Sequence, residues 1–412
     1  DDQITLKGQV IPYHTVCEDN VFYAEDGHAI ASVFSYSYFR SDITDKSDRP
    51  VLFGFNGGPG SASMYVHAGL LGPNRINYKD EADRKSSLPP YPMMPNEDCL
   101  LDMADIVIFE PVGVGYGLLL DDSKKDQFYG IEEDAEALLC FVEKWCRTYN
   151  RFSSPKYLLG ESYGTTRAVT AAGMSVSGGK DRSYGIRFDG LILIGTTVTP
   201  GQFFAKDLPV PLSVIRFPTY AAIHWYHNHP TAKSLEDFAM EAKRFADRDY
   251  LLALYEGEGL KGEERERIIE KIIYYTGVSR GFLERYALEI PENEHRAEVL
   301  KNKGLAVGRC DGRFTRPLYR PITAEYEENH GFYDDASMDS YDSYYYAAMA
   351  GYLTRKLNIK LNRAYVSTAN MEDWNMKAEG GTTAERLRNA MNMTFGMRTF
   401  FANGWYDACT EI

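Results

Sequence analysis

No stretch of this 412-residue sequence approaches the roughly 18 consecutive apolar residues that a membrane-spanning helix requires. The opening Asp1-Asp2-Gln3-Ile4-Thr5 offers neither a basic nor an apolar segment, so no signal peptide is visible; one already removed would leave the same start. Basic residues are in deficit. The 45 Lys and Arg stand against 59 Asp and Glu, a net charge of −14, which argues against nucleic acid or an anionic membrane as partner. Cysteine is scarce too. Cys17, Cys99, Cys140, Cys146, Cys310 and Cys409 form no C-x-x-C pair, so free, mostly buried thiols are expected, with one or two disulfides as the alternative. That leans towards a reducing, cytoplasmic compartment and leaves a secreted mature form open. Hydrophobic content of 44% and charged content of 25% are those of an ordinary globular protein, long enough for one large domain or two medium ones.

What is present reads as strands alternating with helices. Residues 4–13 and 28–39 alternate small or polar with large apolar side chains and predict an opening antiparallel hairpin. Val51 to Phe55, Asp105 to Phe109, Lys156 to Leu159 and Leu191 to Ile194 are short apolar runs of the kind buried on both faces. Between them, Ile131, Ala135, Leu138, Leu139, Val142 and Trp145 share one helical face. The pattern predicts an α/β fold with a mostly parallel sheet covered on both sides, residues 1–198 forming its first part. From 199 to 360 long polar amphipathic segments take over and predict an inserted helical cap. Sheet-like runs return over 361–412, at Arg363 to Ser367 and Met397 to Ala402.

The chemistry centres on Gly160-Glu161-Ser162-Tyr163-Gly164, which ends an apolar strand and opens a helix-forming segment. A G-x-S-x-G in that context is a nucleophile elbow: small residues on either side allow a turn tight enough to raise the serine oxygen above the sheet. The pattern alone recurs by chance roughly 0.2 times in a chain of this length, so the reading rests on its setting. Asn56-Gly57-Gly58-Pro59-Gly60 follows an earlier strand of the same sheet, where small residues let backbone N–H groups reach a substrate oxyanion. The N–H groups of Gly58 and Tyr163 are assigned to that hole.

Taken together, FNGGPGSAS (55–63), LGP (71–73), PVGVGYG (111–117), GESYG (160–164) and NGWYDACT (403–410) resemble the serine carboxypeptidase family of α/β-hydrolases, in the family's order. The form is closest to bacterial members. The resemblance implies an α/β-hydrolase fold with a helical cap, Ser162 as nucleophile and Asp407 as triad acid. It also implies that Asn56, the Gly57 N–H and Glu161 grip the C-terminal carboxylate of a peptide substrate, with no metal or organic cofactor. Where many eukaryotic members carry a second glutamate, Leu70 stands, and Ser61 replaces a disulfide-bonded cysteine. An esterase or acyltransferase using the same nucleophile, or a noncatalytic peptide-binding protein on this scaffold, are the alternatives.

Fold order places the triad histidine after Asp407, yet His14, His28, His67, His224, His227, His229, His295 and His330 all precede it. The expected base therefore lies beyond Ile412; His67, just after the glycine loop, is the upstream substitute. His224-x-x-His227-x-His229 lacks an H-E-x-x-H and reads as a helix end in the cap rather than a zinc site. Gly178-Gly179-Lys180-Asp181 lacks the remainder of a P-loop. Tyr341, Tyr344, Tyr345 and Tyr346 read as helix packing, with a cleft lining as the other use. Side-chain preference and oligomeric state are not legible.

Overall fold

Strict alternation along the central strands is what gives the sheet two buried faces. The computed structural model describes residues 1–77, 89–178, 183–198, 210–318, 335–371, 373–377 and 381–410. The chain forms two compact units, one of 1–79, 88–205 and 344–402, the other of 80–87, 206–343 and 403–412.

The first unit holds a nine-stranded sheet. Its strands are β1 (Asp2–Leu6), β2 (Gln9–Tyr23), β3 (Ala29–Arg40), β4 (Val51–Phe55), β5 (Asp105–Glu110), β6 (Lys156–Glu161), β7 (Gly190–Ile194) and β8 (Arg398–Ala402), with a two-residue strand, Leu118–Leu119, paired to β3. The order is β1-β2-β3-β5-β4-β6-β7-β8. The first three strands pair antiparallel, and β4 to β8 run parallel with one another. Among this unit's helices are α1 (Ile131–Thr148), α2 (Tyr163–Ser177) and α3 (Thr383–Met393). On one face Val51, Phe53, Phe55, Val107 and Phe109 pack with Leu138, Val142 and Trp145 of α1, Ala168 and Ala172 of α2, and Leu387 of α3. Leu52, Ile106 and Ile108 point the other way, onto Met64, Val66 and Leu71. Neighbouring residues of one strand serve opposite cores, as the period of two demands.

Two expectations need correction. Residues 4–13 are not one strand, because Lys7 and Gly8 both take positive φ (50° and 80°) and turn the chain from β1 into β2. Arg363 to Ser367 does not join the sheet; Val366 forms an isolated bridge to Gly115, so this run laces one loop to another.

The second unit is helical. Phe217–Asn228, Leu235–Phe245 and Gly262–Thr276 bury Phe217, Tyr220, Phe238, Phe245, Ile268 and Ile272 in a core of their own. A two-stranded ribbon, Leu305–Val307 with Thr315–Pro317, accompanies them. No helix among the described residues is long and apolar enough to cross a membrane.

Candidate active site

The turn from β6 to α2 is where the backbone departs from ordinary geometry. Ser162 sits at φ 55°, ψ −129°, a region that side chains avoid and that costs on the order of 1–3 kcal/mol. The glycines around it explain how the strain is accommodated. A Cβ on Gly160 would press into the Gly164 carbonyl, and one on Gly164 would lie 3.1 Å from the Asn56 oxygen. A Cβ on Gly57 would strike the Tyr163 nitrogen and come within 2.6 Å of the Gly164 nitrogen. The glycine loop after β4 and the elbow after β6 thus meet backbone to backbone. Their strands are neighbours, paired in parallel from Val51 with Lys156 to Phe55 with Gly160.

Ser162 is the N-cap of α2, yet its side chain makes no capping hydrogen bond. Serine at that position normally satisfies a helix N–H; here the half-buried hydroxyl is kept out of that role. Its backbone, by contrast, is tightly held. The Ser162 N–H donates to the Ile194 carbonyl at 2.9 Å, and its carbonyl accepts from the Thr165 N–H and hydroxyl, each at 2.8 Å, and from the Thr197 hydroxyl at 3.2 Å. Tyr163 is the first helical residue, so its N–H needs an acceptor from outside the helix. Gly58, exposed and at φ 108°, lies on the facing loop.

Asn56 is fully buried and fixed at each of its polar groups. Its Oδ1 accepts from the Val66 N–H at 2.9 Å, which sets the amide orientation, and its Nδ2 donates to Glu161 Oε2 at 2.8 Å. Its carbonyl accepts from Arg167 Nη1 at 2.6 Å. Leu70, 41% exposed, brings no second carboxyl. Asn56, Gly57, Gly58, Glu161, Ser162 and Tyr163 are therefore one cluster at the ends of β4 and β6. Asp407 belongs to the second unit. Its carboxylate accepts from the Cys409 N–H at 2.8 Å, the Thr410 N–H at 3.2 Å and the Thr410 hydroxyl at 2.5 Å.

Several residues around the elbow escaped the sequence reading. Arg167, buried in α2, donates from Nε to Asp134 of α1 at 2.6 Å and lies over the rings of Phe55 and Tyr163. Burial raises the Asp134 carboxyl, and the Arg167 charge pulls it back. Glu110 ends β5 wholly buried, accepting from the Ser63 N–H at 2.7 Å and the Tyr365 hydroxyl at 2.8 Å; burial pushes it up to about 7. Acidic residues early in α1 were visible in the sequence, but an apolar-face count cannot reveal that the third of them turns inward.

The histidines lie elsewhere. His67 is enclosed by Tyr36, Tyr38 and Tyr352, bonded at Nε2 to the Tyr38 hydroxyl (2.6 Å) and pushed down to about 3 by burial. A ring so held is neutral packing. His224 accepts from Asn228 Nδ2 at 3.1 Å, His227 donates from Nε2 to the Gly312 carbonyl at 2.7 Å, and His229 is the left-handed C-cap of its helix. His330 lies outside the described residues, as do Gly179, Lys180 and Asp181. Of the tyrosines, Tyr344 is buried against Tyr91, Tyr345 packs on Tyr65, Tyr341 packs on Phe314, and the Tyr346 hydroxyl reaches the Tyr365 carbonyl.

A parallel sheet carrying a strained serine at a strand-to-helix turn defines an α/β-hydrolase fold. Residues 23–205 match the family model described as serine carboxypeptidase. An Arabidopsis thaliana protein described as serine carboxypeptidase-like 20 is 30% identical over 169 residues, which is 40% of this chain and 32% of that protein. The chain thus spans about a third of the length of the curated relative it matches. A solved structure of Kex1(delta)p, a prohormone-processing carboxypeptidase from Saccharomyces cerevisiae, superposes with a TM-score of 0.53 at 15% identity, over 97% of this chain and 75% of that one. At that identity the likeness supports the fold.

Proposed function

We propose that this chain is the core of a serine carboxypeptidase-like peptidase that cleaves near the C-terminus of a peptide through an acyl-enzyme on Ser162. The observation that carries the reading is the strained, non-capping Ser162 packed between three close-approach glycines. In this reading Ser162 Oγ attacks the scissile carbonyl, and the Gly58 and Tyr163 N–H groups receive the oxyanion. A histidine base takes the serine proton, and Asp407 orients it. The acyl-enzyme is then released by water.

Asn56, the Gly57 N–H and Glu161 grip the substrate's terminal carboxylate. The Asn56–Glu161 hydrogen bond supports this assignment, since it holds both side chains at the loop–elbow junction. Two facing carboxylates bind each other only when they share a proton, so peptide binding strengthens as the pH falls. Ser61 and Leu70 favour a place beside the bacterial members. Intact-mass analysis after a fluorophosphonate probe is the test: one adduct that disappears in Ser162→Ala is expected. No adduct on folded, full-length protein would leave the noncatalytic alternative. A blocked dipeptide hydrolysed faster than its C-terminal amide or a simple acyl ester would separate carboxypeptidase from esterase.

A further inference from the structure

Two thiols that the proposed chemistry leaves unused lie side by side in the second unit. Cys310 and Cys409 are distant in sequence, yet their thiols lie close enough to perturb each other. The backbone brings them together, because the Ala408 N–H donates to the Arg309 carbonyl at 2.9 Å, pairing the segments one residue before each cysteine. Both segments are pinned. Asp335 accepts from the Arg309 N–H at 2.7 Å and the Cys310 N–H at 3.0 Å, while Asp407 accepts from the Cys409 N–H at 2.8 Å. Both cysteines are half-buried and in the thiol form, and the other four lie in the first unit. The Cys409 thiol, burial, and the charges of Asp335 and Asp407 hold Cys310 protonated.

We propose that Cys310 and Cys409 form a thiol–disulfide modification site, oxidised by a low-molecular-weight disulfide, whose closure disturbs Asp407. The second half rests on Asp407 being the triad acid. The thiolate of one cysteine attacks a sulfur of the reagent, whose S–S bond breaks; the departing half takes up a proton and leaves as a thiol. The other cysteine's thiolate then attacks the mixed disulfide, forming the Cys310 Sγ–Cys409 Sγ bond and releasing the second reagent thiol. Two electrons pass to the reagent, and the protein loses two hydrogens. An S–S bond of ~2.05 Å is shorter than any non-bonded approach of two thiols. Closure therefore drags on the Cys409 N–H that holds Asp407, and a shift on the order of 1 Å at a catalytic group costs about 10²-fold in rate.

The test equilibrates the full-length native protein in glutathione buffers of graded ratio and follows it by peptide mass mapping and peptidase kinetics. Because Cys310 keeps its proton, exchange runs over minutes to hours and is taken to completion. A Cys310–Cys409 cross-linked peptide is expected, with kcat lowered at least tenfold, restored by dithiothreitol, and insensitive to oxidation in Cys310→Ser. Two thiols still open to alkylation under fully oxidising conditions would overturn the site. A cross-link with unchanged kcat would overturn the coupling to Asp407. Absence of activity in both redox states would overturn the peptidase reading and the coupling with it, while the peptide map, which needs no activity, still decides the thiol pair.

Discussion

Glu110 gives the sharpest link between this fold and a measurement. Its carboxyl is wholly buried, bonded to the Ser63 N–H and the Tyr365 hydroxyl, and a Cβ on Gly115 would come within 2.5 Å of its Cδ. Burial outweighs those two hydrogen bonds and lifts the group from 4.5 to about 7. Between those values the native protein keeps a proton that the unfolded chain has released. The group's contribution to stability is therefore full below about 4.5 and is lost as the pH rises through about 7. A shift of that size corresponds to about 3 kcal/mol. Glu110→Gln mimics the protonated carboxyl and does not titrate, so urea unfolding should find the two proteins close at pH 4.5. By pH 8 the variant should be the more stable by about 3 kcal/mol, and in thermal melts by roughly 5 °C. The difference curve cancels the general repulsion of a chain with net charge −14. Parallel stability–pH curves for the two proteins would refute the argument.

Other perturbations test the elbow and its supports. Ser162→Gly relieves a backbone conformation that glycine tolerates, so it should abolish probe labelling while raising stability by about 1 kcal/mol in denaturant melts. Asp134→Ala strands the buried Arg167 charge and should cost about 3–5 kcal/mol by the same measurement; a loss within 1 kcal/mol would mean the pair is not buried as described. Gly57→Ala forces the glycine loop away from the elbow nitrogens, so labelling of Ser162 should fall at least tenfold even where the protein stays folded. If Glu161 shares a proton with the substrate carboxylate, kcat/KM should fall as the pH rises from 4 to 8, and a flat profile would remove it from that role. His67→Ala should retain hydrolysis, since a neutral ring locked to Tyr38 supplies no base.

Much of this was legible because backbone demands leave residue-level marks. A Cβ has no room at Gly57 or Gly160 and would crowd the Asn56 backbone at Gly164, so the motifs announced the elbow and its facing loop from sequence. The same holds for β4, β5, β6 and β7, whose short apolar runs can only be strands buried on both sides. Arg363 to Ser367 has a comparable strand-like composition, but composition does not say whether a sheet edge is available, and here a loop at Gly115 took the pairing instead. The turn at Lys7-Gly8 shows only as a change of parity, from buried Ile4 and Leu6 before it to buried Ile11 and Tyr13 after it. Buried charge was the least visible of all. Asp134, Glu110 and Arg167 read as ordinary polar residues, and what each of them does is decided by a partner far along the chain: α2 for α1, Ser63 and Tyr365 for β5. These groups are also the ones that hold Asn56 and the helix after the glycine loop in place. A motif names the atoms that would do chemistry, whereas their precision depends on a network that no motif records.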